Sequence, residues 1–250
     1  TRRSSDLIQK TALLVGDEGV VSFRARLETS MKIVSAQLNI GGHSAELVCE
    51  DDVLSGEMRI QKPEPWWPHT HGVPALYNGK VIIETSAGPH EFPLEQTGFR
   101  SIEVSNDPGF AIHVNGTRVY CRGACWTTND IFTLGGTEES LRHDLTLARD
   151  AGMNMLRIGG TMTYESDVFY RLCDELGILI WQDFMFANMD YPDEDPTFIA
   201  SVEAEATQLV ERLAHRPSIA LLCGDSEGAQ QAAMWGAERA RWTSKLTSEL

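Results

Sequence analysis

No stretch of this 250-residue chain runs to 18 consecutive apolar residues, which excludes a membrane-spanning helix of ordinary length. The opening "TRRSSDLIQK" carries two arginines but no apolar run after them, so it does not read as a signal peptide. The expected localisation is cytoplasmic, or otherwise left open. Basic residues are scarce: 21 Lys and Arg stand against 36 Asp and Glu, a formal net charge of -15. That sign disfavours nucleic acid and anionic membrane as partners. Cysteine is sparse and odd in number, at Cys49, Cys121, Cys125, Cys173 and Cys223. These mostly sit inside apolar runs, which favours buried free thiols over a disulfide scaffold. Cys121 and Cys125 have no second pair to complete a metal site. No Gly-x-Gly-x-x-Gly follows any predicted strand, so a dinucleotide site loses its main support, and neither metal nor cofactor is expected.

What is present divides into two patterns. Through residue 100 the chain reads as short strands separated by turn residues. "GVVSFRARLET" alternates apolar and polar through Val21, Phe23, Ala25 and Leu27, and "KIVSAQLNI", "SAELVCE", "EMRIQ", "GKVIIET" and "HEFPLEQTG" follow at short spacing. Six or seven such pieces without a helical period predict a β-sandwich over about 1–105. Within it, "KPEPWWPHTHGVPALYNGK" carries Pro63, Pro65 and Pro68, which keep it out of a central strand. Trp66 and Trp67 there either line a sugar-binding surface or pin the loop by aromatic burial.

From about residue 106 the pattern changes. "FAIHVNGTRVYCRGACW" predicts two strands around Asn115-Gly116, a strong tight-turn signal. "TEESLRHDLTLARDAG" then carries a Thr cap, acids in its first turn, apolar Leu141, Leu145 and Leu147, and a stopping glycine. "MNMLRIGG", the helical "ESDVFYRLCDELG" (165–177), "ILIWQDF", the long "TFIASVEAEATQLVERLAHR" and "PSIALLCGDSE" complete four strands with helices between them. This is the form of βα units around a parallel sheet, either half of an eightfold barrel or part of an open sheet.

The strand ends carry polar groups: Trp126, Thr127, Thr128 and Asp130 after the first, Arg157 in the second, Gln182 and Asp183 at the third, and Asp225, Ser226 and Glu227 after the fourth. In a parallel sheet these gather at one edge, where ligands bind. Aromatics, an arginine and acids suit a neutral polyol better than a phosphate ester. Each has a plain structural alternative: Trp126 stacks on a pyranose or covers the sheet end; Asp183 accepts from sugar hydroxyls or from loop backbone. Arg157 orients acids or is merely paired with one, and Glu227 is a catalytic acid or a charge at a helix start.

The stretches "FAIHVNGTRVYCRGACW", "DAGMNMLRIGG", "YESDVFYRLCDELGILIWQDFMFANMDYP" and "HRPSIALLCGDSE" resemble the first half of the catalytic barrel of glycoside hydrolase family 2, within its β-mannosidase branch. "WWPHTHGVPALY" is similar to the signature of the domain that precedes that barrel. The resemblance implies an immunoglobulin-like β-sandwich at 1–105 followed by the first half of a TIM (β/α)8 barrel at 106–250. It implies a retaining exo-glycosidase acting on terminal β-linked mannose of oligosaccharides, with no cofactor. Glu227 then takes the role of general acid/base, and Trp126, Arg157, Asp183 and Ser226 contact substrate. An acid at the mouth of an apolar strand suits the first role, because desolvation favours its protonated form.

Several positions depart from the family. Leu222 stands where a Trp is usual, Asp225 and Ser226 stand where two asparagines are usual, and Gly159-Gly160-Thr161 replaces a Trp-Gly-Gly. These departures keep open a family 2 hydrolase of other specificity, such as an exo-β-glucosaminidase, and the missing partner acid keeps open a non-catalytic carbohydrate-binding protein. The resemblance further implies an internal segment, with the nucleophile beyond residue 250. This span alone is then expected to be inactive until the second half of the barrel completes the site; homo-oligomerisation is left open.

Overall fold

The computed structural model describes residues 8–106, 109–189, 191–192 and 194–234. The chain divides into two compact units, Thr1–Tyr120 with Glu211–Pro217, and Cys121–Val210 with Ser218–Leu250.

The first unit is built on seven antiparallel strands: β1 (Ile8–Val15), β2 (Glu18–Arg26), β3 (Ile33–Ile40), β4 (His43–Glu50), β5 (Val53–Gln61), β6 (Tyr77–Thr85) and β7 (Gly88–Thr97). Their order is β1-β2-β5-β4-β3-β6-β7. The expected alternation holds: Val21, Phe23 and Ala25 are buried while Ser22 and Arg24 between them are exposed. The sheet curls because β4 changes partners partway. It pairs with β3 from His43 to Leu47 and with β5 from Val48 to Glu50. The inward faces of both limbs therefore share one core, in which Phe23, Leu38, Ile40, Leu54, Met58 and Ile83 are buried together. Such burial removes apolar surface from water at about 25 cal/mol per Å2.

Lys10 on edge strand β1 reaches the opposite edge, β7. Its ammonium is buried and donates to Glu95 O at 2.5 Å, Gln96 O at 3.2 Å and Thr97 Oγ1 at 2.9 Å. Three acceptors match the three donors of an ammonium, which is what makes burial of that charge tolerable. The Trp-Pro loop is pinned, as one of its two expectations had it. Trp66 is fully buried, its N–H donates to Phe99 O at 2.7 Å, and its carbonyl accepts from Asn115 Nδ2 at 3.0 Å.

A smaller sheet follows, β8 (Ile102–Ser105), β9 (Ala111–Val114) and β10 (Thr117–Val119), in the order β10-β9-β8. The turn between β9 and β10 is Asn115-Gly116, with φ of +50° and +74°. Left-handed φ at both central residues is the requirement of the tight hairpin turn that the dipeptide predicts. The second of the two strands expected around Asn115-Gly116 is split: β10 ends at Val119, and β11 (Gly123–Trp126) begins a different sheet. Gly123 is the reason that β11 can join it, since a Cβ there would lie 1.7 Å from Met155 O.

In the second unit β11, β12 (Met155–Ile158), β13 (Leu179–Asp183) and β14 (Ile219–Cys223) form a sheet in chain order, parallel throughout. Helices α1 (Glu138–Asp150), α2 (Asp167–Leu176) and α3 (Pro196–Leu213) connect them, and α4 (Gly228–Met234) follows β14. Buried Asn154 clamps the start of the first pair: its side chain accepts from Arg122 N at 2.7 Å, and its N–H donates to Arg122 O at 2.8 Å. Thr137 caps α1 by accepting from Ser140 N, as its sequence predicts. Leu141 and Leu145 are buried, but Leu147, expected on the same face, is 57% exposed.

Helix α2 starts two residues later than expected. Ser166 accepts from Phe169 N as its cap, and Gly177 ends it at φ +67°. Glu165 is thereby left in the preceding loop rather than in the helix. All five cysteines are free; the expectation that they are buried holds for Cys173 alone, Cys49 and Cys125 being exposed. Cys49 lies in the part of β4 that has already turned the corner, and Cys125 faces the same side of its sheet as its register partner Arg157. No helix among the described residues is long and apolar enough to cross a membrane.

Candidate active site

The carboxyl ends of β11 to β14 bring together residues far apart in sequence. The centre is an ion pair between β12 and β13. Arg157 Nη2 lies 2.6 Å from Asp183 Oδ2 and Arg157 Nε donates to Asp183 Oδ1 at 3.3 Å. The guanidinium sits 5.1 Å from the ring centroid of Trp181, within cation–π range. The bond to Asp183 raises the pKa of Arg157 above its ordinary value, opposed by burial.

Asp183 is fully buried and also accepts from Gly160 N at 3.2 Å. Both its oxygens are thus used inside the protein: it holds Arg157 and the loop after β12, the structural alternative to a direct contact with sugar. Gly160 is needed where it stands, because a Cβ would lie 2.8 Å from Phe184 O and 3.1 Å from Ser226 Cβ. Gln182, also buried, is held from below. It accepts from Tyr170 Oη at 2.6 Å and donates to Asp183 O at 2.8 Å.

Ser226 joins this centre from the loop after β14. Arg157 Nη2 donates to its hydroxyl at 3.3 Å. Its backbone is fixed to the loop after β13, its N–H donating to Phe186 O at 2.8 Å and its carbonyl accepting from Asn188 N at 3.0 Å. That second loop is itself braced, since Tyr191 Oη accepts from Ala187 N at 2.9 Å and donates to Ala187 O at 3.2 Å. Tyr164 Oη also accepts from Met185 N while donating to Glu205 at 2.7 Å. Burial, then the Glu205 bond, pushes the Tyr164 phenol well above its usual pKa, so it stays a donor.

Glu227 follows Ser226 with φ of +62°, a left-handed conformation uncommon for a residue with a side chain. Its carbonyl accepts from Gln231 N at 3.0 Å, opening α4. Its side chain is exposed, and among the described residues no hydrogen bond or ion pair joins its carboxyl to the Arg157–Asp183 pair. The desolvation expected around it is therefore not supplied by those residues. Cys223, beneath, donates from Sγ to Asp225 O, and burial, followed by the charge of Asp183, pushes its thiol pKa up.

Trp126 stands at the end of β11, partly exposed, and its register with Ile158 puts it on the opposite face of the sheet from Cys125 and Arg157. Its indole Nε1 donates to Glu165 Oε1 at 2.9 Å, and its ring packs 5.1 Å from Phe169 at 48°. Glu165, which is buried, was not singled out by the sequence. The available signal was an acid just ahead of a serine helix cap, but nothing local points such an acid inward.

No protein-family model matches the chain. It is 36% identical over 235 residues to a β-mannosidase of Bos taurus, covering 84% of this chain and 26% of that protein. It is 33% identical over 242 residues to β-mannosidase B of Aspergillus terreus, covering 92% and 28% respectively. Among solved structures it superposes on a β-D-mannosidase from Dictyoglomus thermophilum with a TM-score of 0.82 at 30% identity, over 97% of this chain and 32% of that one. A β-glucuronidase of Parabacteroides merdae matches at TM-score 0.73 and 20% identity, a likeness of fold alone. The chain spans about a quarter of the length of these curated relatives.

Proposed function

This chain is a β-mannosidase-like segment of glycoside hydrolase family 2, and on that premise we propose that it belongs to a retaining exo-glycosidase that releases terminal β-linked mannose. The strand order β1-β2-β5-β4 followed by β3-β6-β7 is that of an immunoglobulin-type sandwich. The four parallel strands β11 to β14 are the first βα units of a catalytic barrel, whose active site lies at the carboxyl ends of its strands.

The observation that carries the proposal is the position of Glu227. It is the residue after Ser226, whose backbone is hydrogen-bonded to the β13 loop and whose hydroxyl is held by Arg157. Strained backbone at a strand end, held by its surroundings, is where functional side chains are commonly found. Glu227 gives its proton to the glycosidic oxygen as the bond to the leaving group breaks, then takes one from water in the second step. The exposed carboxyl acquires its catalytic environment from substrate and from the rest of the barrel. Retention needs a second carboxylate about 5–5.5 Å away, and no residue of this chain is assigned to it. Arg157, with Asp183 behind it, presents a fixed cation to the sugar-binding side.

The test uses the full-length protein carrying Glu227→Gln. Hydrolysis of mannosides with poor leaving groups should fall about 10²–10⁴-fold, the usual contribution of acid catalysis. Substrates with an activated aryl leaving group should lose far less in the first step, because their departure needs little protonation. Equal losses on both kinds of substrate would remove Glu227 from the acid role.

A further inference from the structure

We propose that Tyr164 is a positioning residue, which sets the place of Glu227 by fixing the loop after β13 on which the Ser226–Glu227 backbone rests. The inference rests on the reading of Glu227 as the acid of the reaction. Glu227 lies past the end of β14 and its side chain is exposed, so its place is set through the backbone around it. That backbone hangs on the β13 loop. Ala187 and Ser226 form an isolated parallel bridge, with Ser226 N donating to Phe186 O at 2.8 Å and Ser226 O accepting from Asn188 N at 3.0 Å. The acid is therefore placed only as firmly as residues 185–188 are held.

Tyr164 holds them from the loop after β12. Its one hydroxyl makes two bonds, accepting from Met185 N at 3.2 Å and donating to Glu205 Oε1 at 2.7 Å. Met185 lies beyond the end of β13, and its N–H takes a phenol oxygen in place of a ladder carbonyl. Glu205 lies mid-helix on α3, so the anchor belongs to a rigid element. A hydroxyl can donate and accept at once, whereas a phenylalanine would fill the same space and hold neither partner. Burial, followed by the Glu205 bond, raises the pKa of the phenol, which therefore keeps the proton that it donates. The path Glu205–Tyr164–Met185–Phe186–Ser226–Glu227 consists of hydrogen bonds and single peptide steps, and it lies wholly within the second unit. Tyr164 acts through the loop, not by contact with the sugar.

The experiment measures kcat/KM of the full-length protein on two probes: β-linked mannobiose, with a poor leaving group, and 4-nitrophenyl β-D-mannopyranoside, with an activated one. Tyr164→Phe should lower kcat/KM on mannobiose about tenfold, within the roughly hundredfold that a misplaced group can cost. On the aryl mannoside the loss should be less than twofold, because protonating that leaving oxygen matters little. A merely structural loss of active enzyme would lower both alike. Glu205→Gln keeps an acceptor for the phenol and should stay within twofold on both probes. Glu205→Leu removes the acceptor, serves where Tyr164→Phe does not fold, and should show the same asymmetry. In a Glu227→Gln background, Tyr164→Phe should have no further effect on mannobiose.

Three results with Tyr164→Phe would overturn the positioning role and leave the acid assignment standing: equal losses on both probes, mannobiose hydrolysis within twofold of the parent, or an undiminished loss in the Glu227→Gln background. A Glu205→Gln effect as large as that of Tyr164→Phe would also overturn it, by showing that the charge acts and not the bond. A Glu227→Gln variant that loses equally on both probes would instead sink the acid reading, and the inference with it.

Discussion

The two partners of the Arg157–Asp183 pair differ in what removing each leaves behind. Asp183 has no exposure, whereas the Arg157 side chain is 34% exposed. Arg157→Met strands a buried carboxyl with Gly160 N–H as its remaining partner described here, and breaking a buried pair from that side costs about 3–5 kcal/mol. Asp183→Asn leaves a guanidinium that water already reaches, and an amide oxygen still able to accept from Gly160 or Arg157. That change loses a charge-assisted hydrogen bond, about 1.5–3 kcal/mol. The expected difference is about 1.5–2 kcal/mol, which is roughly a 10- to 30-fold difference in local opening.

Native-state hydrogen exchange is the suitable assay, because it reports local opening without requiring that a multidomain protein unfold in one step. The amide of Gly160 and those of β12 should exchange much faster in Arg157→Met than in Asp183→Asn, while amides of β2 and β5 in the other unit should not change. Equal protection in the two variants, or a larger loss in Asp183→Asn, would refute the idea that an uncompensated buried carboxyl dominates the energetics here.

Three further outcomes are expected. Burial, then the charges of Arg216, Lys10 and Arg212, pushes His215 down from 6.5 to about 3. The folded state therefore refuses a proton that the unfolded state accepts between those values, so this contribution to stability is present above about 6.5 and is lost as pH falls toward 3, by at most about 1.4 kcal/mol per pH unit. Denaturant midpoints measured across that window should depend less steeply on pH in His215→Phe than in the parent; parallel curves would refute it. Gly123→Ala puts a Cβ onto Met155 O and should separate β11 from β12, seen as lost amide protection in both strands. Gly160→Ala meets Phe184 O at 2.8 Å and is expected to cost about 1–3 kcal/mol by overpacking, with unfolding temperature as the measure and an unchanged value as the refutation.

Local chemistry was legible in the sequence wherever one or two residues decide the outcome. Alternation through Val21, Phe23 and Ala25 reports a half-buried strand because the side-chain period is two, and Thr137 starts a helix because its oxygen accepts a free backbone N–H. Asn115-Gly116 makes a turn because both residues tolerate left-handed φ. The sequence also placed Asp183, Ser226 and Glu227 at strand ends and Arg157 within the second strand, since each follows or interrupts an apolar run bounded by a helical pattern.

Contacts between distant segments were decided only by the tertiary structure. Arg157 and Asp183 are 26 residues apart, Arg157 and Ser226 are 69 apart, and Trp126 and Glu165 are 39 apart; no local period encodes which carboxyl turns toward which donor. Lys10 looks like an exposed strand residue until the sheet curls and brings the β7 carbonyls to its ammonium. The division of one predicted strand into β10 and β11 depends on the approach of Met155 to Gly123, a clearance that exists only once the parallel sheet has formed. Burial and hydrogen-bond satisfaction belong to the packed whole, and so they choose among roles that the sequence alone leaves equal.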